Sequence, residues 1–169
     1  MSRLRDARPL LLVLAVLVVI ADRLSKLWVA HHIRLNSGRV IIPKIFRITH
    51  VMNTGAAFSL FADASHQRWV RLGLIAFSIA AVVLMLVLIF RMGRQLDLTT
   101  VAFALVLGGA LGNLYDRIVT GEVLDFLEVH IGHYHYPDFN LADSSIVIGG
   151  ILIFLTSFRA GSSLNKRTR

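Results

Sequence analysis

L-G-L-I-A-F-S-I-A-A-V-V-L-M-L-V-L-I-F, residues 72 to 90, runs from Arg71 to Arg91 without one charged side chain. A helix crossing about 30 Å of hydrocarbon needs roughly 20 apolar residues, so this stretch reads as a transmembrane span, Trp69 to Phe90 with its flanks. Three further runs have comparable length: Leu10 to Ala30, Thr99 to Tyr115 and Leu141 to Phe158. The first carries Asp22, Arg23 and Lys26 and the third is broken by glycines. Polar groups in such positions face a protein interior or a wet cavity. The expectation is an all-α integral membrane protein of four transmembrane helices, a single membrane domain over residues 1–169.

Composition agrees. Hydrophobic residues make up 56% of the 169 and charged residues only 17%, too apolar for an ordinary soluble domain. Lys and Arg number 18 against 10 Asp and Glu, a formal charge of +8. Most of these basic residues sit at the edges of apolar runs, where they meet membrane lipid headgroups, so nucleic acid is excluded as a partner. With no cysteine, disulfides, thiol nucleophiles and cysteine-ligated metals drop out together. The N-terminus looks like a secretory signal, but no small-x-small cleavage site follows and the helical pattern continues, so it is expected to stay as the first span.

Orientation follows from basic flanks. Arg3, Arg5 and Arg8 precede the first span, Arg91 and Arg94 lie between the second and third, and Arg159, Lys166, Arg167 and Arg169 end the chain. Those flanks share one side, so both termini are expected in the cytoplasm. Two segments then lie outside, about 31–68 and 118–140. In the first, R-V-I-I-P and K-I-F-R-I-T-H-V-M cluster β-formers around Pro43, the signature of a small antiparallel β element between the first two spans, at the membrane surface. The tail from Ala160 is expected to lack regular structure.

Asp125 and Asp143 both fall at the outer boundary, 18 positions apart. Two carboxylates brought together cannot both ionise easily, and such a pair can activate water and protonate a carbonyl in one step. The alternatives are that Asp143 only caps the fourth helix and Asp125 is a solvated loop acid. Asp22 and Lys26, four apart, share a helix face and suit a supporting ion pair. Gly108 and Gly112 have the G-x-x-x-G spacing of close helix contact, and small residues such as Gly109 and Ala110 are candidates for lining a groove formed by spans two to four. Asn113 and Arg117 share a face; Asp116 and Arg117, being adjacent, should reach partners on other segments. Asn53 and Asn140 could grip a peptide backbone or serve turns and caps. His130, His133 and His135, with Glu128 and Asp138 nearby, fit no familiar zinc spacing, and no metal is expected. Ser144 with Lys26 is a possible serine–lysine dyad, and a polar transport pathway through Asp22, Lys26, Asp116 and Arg117 is the non-enzymatic rival; polar residues gathered at one face disfavour the latter.

Taken in order, D-R-L-S-K at 22 to 26, N-T-G-A-A-F at 53 to 58, G-G-A-L-G-N-L-Y-D-R at 108 to 117, V-L-D-F at 123 to 126 and F-N-L-A-D-S at 139 to 144 resemble the bacterial lipoprotein signal peptidases, or signal peptidase II. The resemblance implies an intramembrane aspartic endopeptidase of the bacterial inner membrane. Such an enzyme removes signal peptides from diacylglyceryl-modified prolipoproteins just before the lipidated cysteine, needs no cofactor and is sensitive to globomycin; apart from the resemblance, the protein is expected to be a monomer. It further implies Asp125 and Asp143 as the catalytic pair, with Asp22, Lys26, Asn53, Gly55, Asn113, Arg117, Asn140 and Ala142 binding substrate or supporting the site.

Overall fold

The computed structural model describes residues 6–55 and 64–165. Among these residues the elements follow in the order α1 (Arg8–His32), β1 (Gly38–Ile42), β2 (Phe46–Asn53), α2 (Ala64–Met92), α3 (Leu98–Val119), β3 (Val123–Ile131), β4 (Tyr134–His135) and α4 (Leu141–Asn165). Among the described residues, three helices are long and apolar enough to cross a membrane: Arg68–Met92, Leu98–Val119 and Leu141–Phe158. α1 is 25 residues long, but Asp22, Arg23 and Lys26 load its second half with charge.

α3 is the central helix and touches α1, α2 and α4. Its glycines and alanines make that possible. A Cβ on Gly108 would lie 2.6 Å from the Val18 side chain and 2.7 Å from the Ala15 carbonyl of α1. Gly109 and Ala110 do not line an open groove as expected; both are buried, and Gly109 lies directly against the Ala142 carbonyl of α4. A side chain there would push α4 away. Gly109→Ala should therefore cost about 1–3 kcal/mol by overpacking. Gly150→Ala, with nothing within 4 Å of the new methyl, should be neutral or slightly stabilising. Thermal unfolding in detergent checks both.

Leu11, Ala15, Met85, Ile89, Phe103, Ala104 and Leu107 form the apolar core between α1, α2 and α3. The outward faces stay apolar, with Phe77, Val83, Phe154 and Phe158 all exposed, as a lipid-facing surface requires. Exposed Trp28, Trp69 and Tyr115 come from the end of α1, the start of α2 and the end of α3. They mark one common boundary, in the manner of an interfacial aromatic belt. At the opposite end the Ala7 amide donates to the Arg94 carbonyl at 3.3 Å, bringing the N-terminal flank beside the basic turn between α2 and α3.

The β element is larger than expected. Its four strands run β1-β2-β3-β4, and all three pairings are antiparallel. β1 and β2 form the anticipated hairpin, but β2 then pairs with β3, which follows α3 and lies some 70 residues further on; Asn53 faces Val123 and Val51 faces Asp125 in the register. Asp125 thus stands on a strand and not in a loop. Val29 of α1 and Ile33, just past its end, pack against Leu124 and Phe126 of β3, fixing the sheet over the end of the bundle. α4 continues as helix to Asn165, so the tail is more regular than its composition suggested, and residues 166–169 lie outside the described part.

Candidate active site

α4 begins with Asn140 as its cap, and the first turn is closed reciprocally. The Asp143 amide donates to Asn140 Oδ1 at 2.9 Å, and the Asn140 amide donates to Asp143 Oδ2 at 3.2 Å. This is the geometry of a capping box, in which cap and third helical residue satisfy each other's backbone. The helix-capping reading of Asp143 is therefore correct, and it does not compete with the catalytic one. The same Asn140 side chain, fully buried, donates through Nδ2 to Asp125 Oδ1 at 2.8 Å. One asparagine holds both aspartates.

Each carboxylate has a second amide of its own. Asn53 Nδ2 donates to Asp125 Oδ2 at 2.8 Å, and Asn113 Nδ2 donates to Asp143 Oδ1 at 2.7 Å. The Asn53 amide cannot flip, because its oxygen accepts the Gly55 amide at 2.7 Å. Gly55 has φ +85°, the backbone conformation that this turn requires and that glycine adopts without steric cost. The rest of the N-T-G-A-A-F motif, Ala56 to Phe58, lies outside the described residues, as does any helix there. Asn113 Oδ1 accepts from Asn140 Nδ2 and from Lys26 Nζ, each at 3.2 Å, which orients this amide too.

Beneath the aspartates lies a buried ionic cluster. Lys26, 2% exposed, directs its ammonium at Asp22 Oδ2 and Asp116 Oδ2, both at 2.7 Å, and at Asn113 Oδ1. Three protons meet three acceptors. Asp22 Oδ1 accepts the Ala142 amide at 3.0 Å, tying α1 to the first turn of α4. Ala142 itself is completely buried, and its place against Gly109 and Gly112 leaves room for nothing larger. Arg23 reaches Asp116 Oδ1 at 3.1 Å and stacks over Tyr115. Asp116 does find its partners on another helix, as its position predicted, but it belongs to this cluster as fully as Asp22 and Lys26 do. The signal was its place three residues after Asn113, on the same helical face. Arg117 lies within electrostatic reach of Asp143, Asp125 and Asp116, and its guanidinium touches the Asn113 carbonyl at 3.5 Å.

The serine–lysine alternative finds no contact among the described residues: Ser144 Oγ donates to the Asn140 carbonyl while Lys26 is saturated.

Asp125 is 3% exposed, whereas Asp143 is half-buried. Burial pushes the Asp125 carboxyl from the usual 3.8 up to about 6; the Asn53 hydrogen bond opposes this, the Asp143 charge adds to it, and Asn140 and Lys26 pull it back. Between about 4 and about 6 the folded protein holds a proton that the unfolded chain has lost. This group's contribution to stability is thus full below that window and gone above it. Asp143→Asn removes a like charge and should lower the Asp125 titration. Asn53→Ala removes a donor to the ionised form and should raise it. Carboxyl carbon NMR of aspartate-labelled protein reads both shifts.

A shallow apolar cavity of about 310 Å³ opens beside Asp143, walled by Val129, Ile131, Tyr136, Phe139, Ser144 and Val147. The β3–β4 hairpin gathers Glu128, His130 and His135 with ligand atoms within 4.8 Å of one another; His133 is not in the group.

Comparison with known proteins covers almost the whole chain. The family model described as signal peptidase (SPase) II matches residues 14–159. The lipoprotein signal peptidase of Yersinia enterocolitica is 46% identical over 146 residues, which are 86% of this chain and 84% of that one. The lipoprotein signal peptidase of Yersinia pseudotuberculosis is 44% identical over 153 residues, 90% and 88% of the two chains. Two solved structures, each described as a bacterial membrane enzyme, superpose with TM-scores of 0.83 and 0.79 at 29% and 30% identity. The first covers 96% of both chains, the second 92% of this chain and 97% of its own.

Proposed function

The chain belongs to the signal peptidase II family, and from that premise we propose that it is an aspartic endopeptidase cleaving signal peptides from lipid-modified prolipoproteins, with Asp125 and Asp143 as the catalytic pair. The observation that carries the reading is Asn140, whose side-chain amide donates to the Asp125 carboxyl and whose backbone amide donates to that of Asp143, while Asn53 and Asn113 each hold one carboxyl from the far side. Two acids fixed so firmly, one of them raised to about 6 by burial, share a proton near neutral pH.

In the proposed reaction a water molecule sits between the aspartates. The ionised carboxylate takes a proton from it as its oxygen attacks the scissile carbonyl carbon. The protonated carboxyl, which burial favours at Asp125, donates to the carbonyl oxygen. The resulting tetrahedral species collapses when a proton passes to the departing amide nitrogen, breaking the C–N bond and restoring the pair. Arg117 supplies positive charge near the developing oxyanion. Lys26, Asp22 and Asp116 do not touch substrate; they hold the ends of α1, α3 and α4 together beneath the pair.

We read all four helices as spans of a single membrane domain in the bacterial inner membrane, with both termini cytoplasmic and the aspartates at the outer face. Support for α1 as the fourth span comes from its length and from the burial of Asp22 and Lys26 inside the bundle, away from lipid. A diacylglyceryl cysteine keeps its scissile bond near the headgroup boundary, the level of Trp28, Trp69 and Tyr115. The apolar cavity beside Asp143 suits the residues next to that bond, cleavage falling just before the cysteine. Globomycin, as a peptide inhibitor, is expected to compete for the same place. Mass spectrometry of the products from a lipidated precursor tests the assignment: a new N-terminus anywhere but the lipidated cysteine rejects it.

A further inference from the structure

We infer that the β3–β4 hairpin carries a binding site for one divalent transition ion of the zinc class, held by Glu128, His130 and His135. The three donors come together through strand geometry. Glu128 and His130 are two apart on β3, so their side chains leave the same face. His135 on β4 is the cross-strand partner of His130, which places it on that face as well. The E-x-H…H spacing resembles no helix-borne zinc motif because a hairpin, not a helix, makes the juxtaposition.

Two imidazoles and one carboxylate are a donor set that zinc accepts, leaving a fourth position for water. His130 Nε2 already lies 2.8 Å from Glu128 Oε1, and the His130 and His135 rings meet edge to face with centroids 4.2 Å apart. Tetrahedral zinc wants ligand atoms about 3.3 Å apart. The present spread of up to 4.8 Å closes by rotation of the His135 ring, which is exposed and free to turn. Glu128 is already ion-paired: Arg47 Nη1 donates to its Oε1 at 3.2 Å and faces Oε2, which has no hydrogen bond of its own. Arg47 stands 2.9 Å from that oxygen and opposes a cation, while Asp138, within electrostatic reach of both Glu128 and His130, favours one. An ion here would fasten β4 further, adding to the two residue pairs that join it to β3 and to the Tyr136 amide's bond to the Val129 carbonyl. The chain from β4 runs through Tyr136 and Phe139 into the Asn140 cap, so that fastening bears on the wall beside Asp143.

The test uses the full-length protein in detergent, without a polyhistidine tag and stripped with a chelator. Zinc chloride titrated by calorimetry should bind at one equivalent, and cobalt(II) should give the visible absorption of a four- or five-coordinate site. His130→Ala, His135→Ala and the isosteric Glu128→Gln should each weaken zinc binding by about a hundredfold or more. Zinc should raise the unfolding temperature of the parent and not of His135→Ala; because His135 is exposed, that variant should unfold like the parent when no ion is present. Absence of saturable zinc binding by the parent overturns the site. So does parental affinity in any of the three variants.

Discussion

Asp125→Asn and Asp143→Asn should each reduce release of signal peptide from a lipidated precursor by about a thousandfold, within the range of 10²–10⁴ that positioned acid–base groups contribute. The double variant should be no worse than either single one, because groups that share a proton act as a unit. Neither change should unfold the protein. Asparagine at 143 retains an oxygen for the Asn140 amide, and asparagine at 125 loses one of two amide contacts while removing a buried charge. Full turnover by either variant, measured by mass-resolved cleavage in micelles of parent-like stability, would rule out the aspartic mechanism.

Lys26→Met is expected to be the most damaging change away from the aspartates. Methionine fills most of the same volume, but Asp22 is left without a cation in a site almost closed to water, facing Asp116, whose remaining partner is the part-exposed Arg23. Removing one partner of a buried pair costs about 3–5 kcal/mol, chiefly because the remaining charge is stranded. Two carboxylates share this lysine, so the upper end of that range applies. Adding Asp22→Asn to Lys26→Met should recover part of the loss by neutralising the stranded acid. Thermal unfolding of the single and double variants measures this directly; a single variant as stable as the parent would mean that the cluster contributes nothing to holding α1, α3 and α4 together.

The contrast between these two predictions bears on what could be read from residues alone. The spans were legible because lipid imposes a length and a polarity that little else imitates. Asp125 and Asp143 were legible as acids at a boundary, but their relation was not, since it passes through Asn140 and through a sheet whose central pairing joins distant segments. V-L-D-F-L-E-V-H-I carries β-formers, yet its partner β2 lies two helices earlier in the chain, and local pattern does not reveal such a pairing. The choice between helix cap and catalytic acid for Asp143 looked like a fork because each role alone explains an acid in a first turn. In the fold the cap aims the carboxylate. Asp22 and Lys26 showed their own pairing through their spacing, whereas the claim of Asp116 on the same lysine depends on how close α1 comes to α3, which Gly108 and Gly112 decide. The expected groove at Gly109 failed for a related reason: small residues on a helix admit either a substrate or another helix, and here α4 takes the space.

The pairing of β2 with β3 has a consequence for the protein's birth. Asn53, Asn113, Asp125 and Asp143 lie on β2, α3, β3 and α4, so the assembly is incomplete until the last helix has entered the membrane and its first turn has closed. On the proposed assignment of Asp125 and Asp143, a chain emerging from the ribosome passes its own apolar helices into the bilayer while still unable to cut a polypeptide, and the capacity to hydrolyse arrives only with the finished molecule.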